Sequence, residues 1–261
     1  MKARCGDIDL HYTVEGDGPW ITLSHSLACD SSMWDDQMPW LTRHFKVLRF
    51  DTRGHGQSSA PQGPYTLDAL ADDAYHLMQH LGIQHTHWLG LSLGGMIGQT
   101  FALKYPQLIQ SLGLAATTSR GLPAAAAMWA DRARIARTQG MQVLLEPTLA
   151  RWYTAPSREA KLPVIERIAK TILGTPAEGY AGCCEAIAGL DLTDRLSAIT
   201  CPTLVVVGTE DQGTPPEMSR IIHEHIAGSQ LHLIPQAAHL VNTEQPTAFN
   251  QVMQDFLLRV K

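Results

Sequence analysis

Two periods of apolar and polar residues alternate along this chain. Ile8–Glu15 changes character at every second residue, which predicts a half-buried strand. Gly16-Asp17-Gly18-Pro19 turns the chain, and Trp20–Leu23 runs into the interior as a second strand. Short apolar runs at Lys46–Phe50, Thr86–Leu91, Ile109–Ala115, Thr203–Gly208 and Leu231–Ile234 predict five more. Helical spacing lies between them. Leu67–Leu81 carries apolar residues at Leu67, Leu70, Ala71, Ala74, Leu77 and Met78, and Met33–His44, Gly95–Tyr105, Pro216–His225 and Thr243–Val260 also read as helices. Strands that alternate with helices predict an α/β fold, a mostly parallel sheet covered on both faces.

The alternation breaks between Leu122 and about Leu190. That stretch is rich in Ala, Arg, Leu and Ile at helical spacing, is punctuated by Gly140, Pro147, Pro156, Pro163, Gly174 and Pro176, and holds no convincing strand. It predicts several helices inserted between two sheet strands. The expected organisation is a core of residues 1–121 and 191–261 with a helical cap, 122–190, over one end of the sheet.

Composition narrows the partners. The 261 residues are 44% apolar, enough for a full core, and 20 basic against 25 acidic residues leave a net charge of −5. An acidic chain without a basic block is not expected to bind nucleic acid or an anionic membrane. The first residues, Met1-Lys2-Ala3-Arg4-Cys5-Gly6-Asp7, lack the apolar stretch of a signal peptide, and no apolar run is long enough to span a bilayer. Five cysteines, two of them adjacent at Cys183-Cys184, form no disulfide framework. A cytoplasmic protein with reduced cysteines is expected.

Chemistry enters at Gly90-Leu91-Ser92-Leu93-Gly94, which follows the strand His87-Trp88-Leu89 and opens a helix. A serine with glycine two residues away on each side is the pattern of a nucleophile elbow, where the turn is too sharp for side chains at the flanking positions. A serine hydroxyl needs a base to take its proton, and the base needs a carboxylate to fix its tautomer. On a sheet of this kind the partners follow in the order Ser, acid, His, and ligands bind beyond the carboxyl ends of the strands. Thr203–Val207 runs into Gly208-Thr209-Glu210-Asp211, which makes Asp211 the candidate acid with Glu210 as local competitor and Asp191 and Asp194 further off. Leu231–Ile234 is followed by Pro235-Gln236-Ala237-Ala238-His239, which makes His239 the candidate base.

Leu23-Ser24-His25-Ser26-Leu27 follows a central strand, so the backbone N–H of Leu27, with that of Leu93 just after the serine, is the expected oxyanion hole. His25 either orients that loop or meets substrate. Asp51–Ser58, with two glycines after a strand, reads as architecture, and Arg53 is expected to tie loops together. None of the remaining histidines completes a metal motif such as H-E-x-x-H, so no metal is expected.

With these pieces in place the chain resembles the α/β hydrolases over essentially its whole length: the elbow around Ser92, Asp51–Ser58, Gly208–Asp211 and Ala238-His239 all match. The resemblance implies a mostly parallel eight-stranded sheet flanked by helices, and a triad of Ser92, Asp211 and His239. A narrower resemblance is to the 3-oxoadipate enol-lactonases. It rests on Ser24–Asp30 with Met33-Trp34, Phe50–Ser58, Pro64-Tyr65-Thr66 and, in the cap, Arg151-Trp152-Tyr153-Thr154-Ala155, Glu178-Gly179-Tyr180 and Cys184-Glu185-Ala186-Ile187. The chain departs from that family at His25, where Asn is frequent, and at Ala28, where Gly is usual.

The narrower resemblance implies a small carboxylated enol-lactone opened through an acyl-enzyme on Ser92, with no cofactor. A substrate carboxylate calls for a cation. Met128–Arg137 supplies Arg132, Arg134 and Arg137; Arg132 shares a helical face with Trp129 and is the first candidate, and Trp152 is a candidate pocket wall. The same arginines would also suit a solvated helix face. Two other functions use the same residues: a general carboxylesterase or a lactonase such as one for acyl-homoserine lactones, and a hydrolase-fold ligand receptor with little turnover.

Overall fold

The computed structural model describes residues 1–121 and 125–260. Among them eight strands, β1 (Lys2–Cys5), β2 (Ile8–Glu15), β3 (Trp20–Ser24), β4 (Lys46–Phe50), β5 (Thr86–Leu91), β6 (Ile109–Ala115), β7 (Thr203–Gly208) and β8 (Gln230–Ile234), form one sheet in the order β1-β2-β4-β3-β5-β6-β7-β8. β2 pairs antiparallel with β1 and β4, and the other pairings are parallel. Every residue of β5 and β7 is buried, as expected of central parallel strands covered on both faces. β1 has no counterpart among the strands read from the sequence, because four residues beside a polar turn give too short a period to recognise.

Register places the site. Ser24 pairs with Gly90, Leu91 with Ala115, Ala115 with Val206, and Gly208 with Ile234. The carboxyl ends of β3, β5, β6, β7 and β8 therefore reach one edge of the sheet, and the loops that leave them meet there.

The helices are α1 (Met38–Leu41), α2 (Leu67–His80), α3 (Leu93–Lys104), α4 (Ala125–Gln139), α5 (Gln142–Trp152), α6 (Ala155–Glu159), α7 (Pro163–Gly174), α8 (Ala177–Ala188), α9 (Pro216–His225), α10 (Val241–Glu244) and α11 (Pro246–Val260). α2 and α3 pack together, α3 against β3, β5 and β6, while α9 lies on β7 and β8 and α11 on β6 and β8. Helices α4–α8 all fall between β6 and β7, and α4 packs along α8. The expected first residue of this insertion, Leu122, lies outside the described residues. The insertion meets the core where Gly179 of α8 lies on the backbone of Gly54, and a Cβ on either would strike the other's main chain.

Two helices read from periodicity are interrupted. Met33–His44 becomes a 3-10 turn, Ser31–Trp34, followed by α1, and Thr243–Val260 becomes α10 followed by α11. The cause is the same in both. Pro39 and Pro246 would sit inside the continuous helix, where proline offers no N–H and its ring strikes a carbonyl of the preceding turn. Each instead stands in the first turn of a new helix, where that N–H is not needed.

Candidate active site

Ser92 joins the end of β5 to the start of α3 at φ 55°, ψ −114°, a conformation that costs an L-residue about 1–3 kcal/mol. The surrounding backbone holds it there. Its N–H donates to Ala115 O at 2.9 Å, and its carbonyl accepts from Gly95 N, Met96 N and Thr117 Oγ1 at 2.9, 3.0 and 2.8 Å. A Cβ at Gly90 would overlap the carbonyl of Gly94, and one at Gly94 the carbonyl of Ser24. Both glycines of the motif are therefore required by close approach.

Asp211 follows β7 and is 3% exposed. Its Oδ1 accepts from the N–H groups of Gly213 and Thr214 at 2.7 and 2.9 Å, and its Oδ2 from Thr214 Oγ1 at 2.9 Å. The Nδ1 of His239, in the loop after β8, lies 2.9 Å from Oδ2 and 3.1 Å from Oδ1. Burial alone would raise the pKa of Asp211, but the facing His239 and these donors outweigh it and hold the carboxyl below its ordinary value. An ionised acceptor opposite Nδ1 assigns the proton to that nitrogen and leaves Nε2 as the basic lone pair. Glu210 is exposed, and Asp191 and Asp194 pair with Arg120 at the surface, so Asp211 is the acid that the fold brings to His239.

Ser92 and His239 line one cavity of about 60 Å³ with Ser26, Leu27, Met96, Trp129, Arg132, Arg151, Trp152 and Tyr180 among its walls. No hydrogen bond joins Ser92 Oγ to His239 among the described residues. Catalytic hydrogen bonds often close only around bound substrate. Trp152 stands beside His239, ring centroids 6.1 Å apart. Leu93 is the first residue of α3, where the N–H has no acceptor within the helix and the helix dipole favours negative charge.

The loop carrying Leu27 is held by two buried histidines. His25 donates from Nδ1 to Ser26 O (2.7 Å) and accepts from Thr52 N at Nε2 (2.9 Å). His55 accepts from Ala28 N (2.9 Å) and reaches Arg53 O from Nδ1 (3.2 Å). Both nitrogens of His25 are thus engaged, and the ring does not line the cavity, which places it as a support of the loop and away from substrate. Burial lowers the pKa of both rings, that of His55 to about 3, with His25 adding to the shift. Ala28 sits between them at φ 56°, in the left-handed region where glycine is at ease. Arg53 donates to Asp73 on α2 at 2.7 and 2.8 Å, joining that loop to the helix layer.

On the opposite wall, Arg132 of α4 donates to Tyr180 Oη (2.9 Å) and Thr148 Oγ1 (3.1 Å), and its guanidinium lies 5.5 Å from the ring of Trp129. Arg134 is paired with Asp131, and Arg137 with Glu178 and Glu185. Arg132 has no carboxylate partner among the described residues. The same holds for Arg151 of α5, a cavity residue that periodicity did not single out. Burial and then the charge of Arg132 pull its pKa below the ordinary guanidinium value.

A strained serine at a strand-to-helix elbow, with a histidine–aspartate pair from two later strand ends, is the working arrangement of an α/β hydrolase. The chain belongs to that family: the alpha/beta hydrolase fold matches residues 19–246. It is similar to 3-oxoadipate enol-lactonase 2 of Acinetobacter baylyi, 35% identical over 97% of this chain and 94% of that one. Among solved structures it is similar to the enol-lactonase from Burkholderia xenovorans, with a TM-score of 0.95 and 40% identity over 99% of this chain and 100% of that one. It is also similar to a thermophilic esterase from Thermogutta terrifontis solved with malate bound, with a TM-score of 0.94 and 34% identity over 100% and 98% of the two chains. Among the described residues no helix is long and apolar enough to cross a membrane.

Proposed function

We propose that this chain is a serine hydrolase that opens a small carboxylated enol-lactone, with 3-oxoadipate enol-lactone as the substrate. The observation that carries the carboxylate is the pair Arg132 and Arg151: two arginines lining the Ser92 cavity, neither in an ion pair with a protein carboxylate among the described residues. A bound carboxylate would relieve their repulsion and accept charge-assisted hydrogen bonds. The relatives' names support the reading, and the Thermogutta esterase holds a dicarboxylate, malate.

In this mechanism Ser92 Oγ attacks the lactone carbonyl while His239 Nε2 takes its proton, and Asp211 stabilises the imidazolium. The N–H groups of Leu27 and Leu93 receive the oxyanion. Collapse breaks the ring C–O bond, and the enol oxygen leaves with the proton from His239 but stays tethered in the acyl-enzyme. Tautomerisation to the ketone removes that nucleophile, so re-closure stops competing. His239 then deprotonates water, water attacks the acyl carbon, and Ser92 departs with its proton. No cofactor is required. Residues 122–190 act as the cap that supplies the specificity wall to the core of 1–121 and 191–261. We place the reaction in the cytoplasm, where five unpaired cysteines stay reduced.

One observation favours a second reading, a carboxylesterase for larger esters. The Ser92 cavity shares Met96, Trp129, Arg151 and Ile187 with a larger chamber of about 470 Å³, lined also by Leu190, Pro215 and Met218. A panel of 3-oxoadipate enol-lactone, p-nitrophenyl esters of increasing length and homoserine lactones separates the two. Turnover of the neutral esters alone would remove the carboxylate reading and leave the hydrolase reading standing. A Ser92→Ala protein that still hydrolysed would remove both.

A further inference from the structure

The loop that carries His239 and the inserted helix that carries Arg151 meet on one buried carboxylate. Glu244, the last residue of α10, is 6% exposed. Its Oε2 accepts from the N–H of Ala238, the residue before His239, at 2.6 Å. Its Oε1 accepts from Thr154 N at 2.8 Å and Thr154 Oγ1 at 2.7 Å, two residues beyond the end of α5. Two further bonds join the same segments: Leu240 N donates to Trp152 O at 3.1 Å, and the hydroxyls of Tyr153 and Thr243 lie 2.9 Å apart. Glu244 has no ion-pair partner among the described residues, so three N–H and O–H donors from two distant parts of the chain carry its charge.

We infer that Glu244 is a positioning residue that holds the catalytic base and the substrate-reading wall in fixed relation. Through Ala238 it sets the backbone from which His239 projects, and through Thr154 it sets the end of α5, which carries Arg151 and Trp152. A carboxylate suits this task because both oxygens accept and neither donates. Glutamine would turn an NH₂ group toward either the Ala238 or the Thr154 donors, leaving one side of the joint facing donor to donor. Alanine would leave the buried N–H groups of Ala238 and Thr154 without acceptors. A base and a carboxylate clamp that drift apart misplace the lactone carbonyl against Ser92, and misplacement of about 1 Å costs on the order of 100-fold in rate. The inference rests on the functional reading above for the roles of His239 and Arg151.

The test compares wild type, Glu244→Gln, Glu244→Ala, Thr154→Val and Thr154→Ser. Each is normalised by the burst of p-nitrophenol per active site, so that loss of folded protein does not enter the rate. Substrates are p-nitrophenyl acetate and 3-oxoadipate enol-lactone. For both Glu244 variants kcat per titrated site falls on the order of 10-fold or more with either substrate, because His239 is displaced. KM rises for the carboxylated lactone alone, because Arg151 is displaced. Thr154→Val changes both constants in the same directions but less, and Thr154→Ser, which keeps the hydroxyl, recovers them. A purely structural Glu244 would lower Tm and leave both constants per titrated site at wild-type values, which overturns the inference. Wild type that hydrolyses the acetate while the variants match it removes the inference alone; wild type inactive on both substrates removes the hydrolase reading and the inference with it.

Discussion

Arg132 and Arg151 stand on consecutive inserted helices, α4 and α5, and both line the Ser92 cavity, which has no carboxylate among its described lining residues. Arg132 directs Nε and one terminal nitrogen to the neutral hydroxyls of Tyr180 and Thr148, and Arg151 keeps a buried Nε without a partner among the described residues. The charge of Arg132 lowers the pKa of Arg151, a repulsion that a bound anion would relieve. Arg134 and Arg137, on the same helix as Arg132, show the alternative, since each already holds a carboxylate.

Replacing either cavity arginine by alanine is therefore expected to lower kcat/KM for the carboxylated lactone by roughly 10- to 100-fold, the range of a hydrogen bond to a charged group. The same variants should change p-nitrophenyl acetate hydrolysis by less than about 3-fold. On this reading both guanidinium groups bind one carboxylate, so the double variant should lose less than the product of the single losses. Steady-state kinetics on both substrates checks this, and equal losses on the two would contradict it.

Asp211→Asn keeps the shape of the acid and reverses its meaning to His239. The amide can present NH₂ toward Nδ1, which favours the tautomer with the proton on Nε2, where it cannot act as base. kcat should fall on the order of 10⁴-fold with little change in Tm. A loss of less than about 10-fold would show that Asp211 does not set the tautomer.

His25 and His55 link stability to pH. Each is neutral in the fold because it accepts a backbone N–H, from Thr52 and from Ala28 respectively. Burial lowers both pKa values from 6.5, that of His55 to about 3. With the folded pKa below the unfolded one, the unfolded chain takes up the proton first as pH falls. Their contribution is fully present above about pH 6.5 and is lost progressively as pH falls through this window toward about 3. His55→Gln keeps an acceptor for Ala28 N–H without titrating, so its Tm should fall less steeply than that of wild type between pH 6.5 and 4. Parallel Tm–pH curves would contradict this.

Ala28 tests the same loop by strain. Its left-handed φ costs about 1–2 kcal/mol. Glycine would release that, but would lose about 0.4–1 kcal/mol through the freer unfolded chain and about 0.8 kcal/mol for the buried methyl. The terms nearly cancel, so Ala28→Gly should move Tm by no more than about 3 °C. Ala28→Val, β-branched at positive φ, should lower Tm well beyond that and slow acylation through the displaced Leu27 N–H. Thermal melts and burst kinetics of the two variants check this; a neutral valine would show that the loop is not constrained at this position.

The sheet, the elbow and the pairing of Asp211 with His239 were legible because each rests on local signals: a strand period, two glycines that close approach demands, and an acid and a histidine just past strand ends. The broken helices were misread where Pro39 and Pro246 outweighed an unbroken apolar period. Proline is not decisive everywhere, for α5 runs through Pro147. Arg132 stood out by its spacing from Trp129, but Arg151 did not, because what distinguishes it, a place in the cavity lining with no ion-pair partner among the described residues, is a property of the folded insertion. His25 offered two roles in sequence, and only the position of Thr52 N decides between them. Glu244 gave no signal, since its three donors come from Ala238 and Thr154, six and ninety residues away.

The central claim is that this cavity reads a carboxylate on its substrate. It is tested most directly by one ratio: kcat/KM for 3-oxoadipate enol-lactone over kcat/KM for the same lactone with its carboxylate masked as a methyl ester. The pair differs in one charge and shares the scissile bond. The expected result is a preference for the free acid on the order of 100-fold, less than two independent charge-assisted contacts would give. A ratio near one, or a preference for the masked ester, would contradict it.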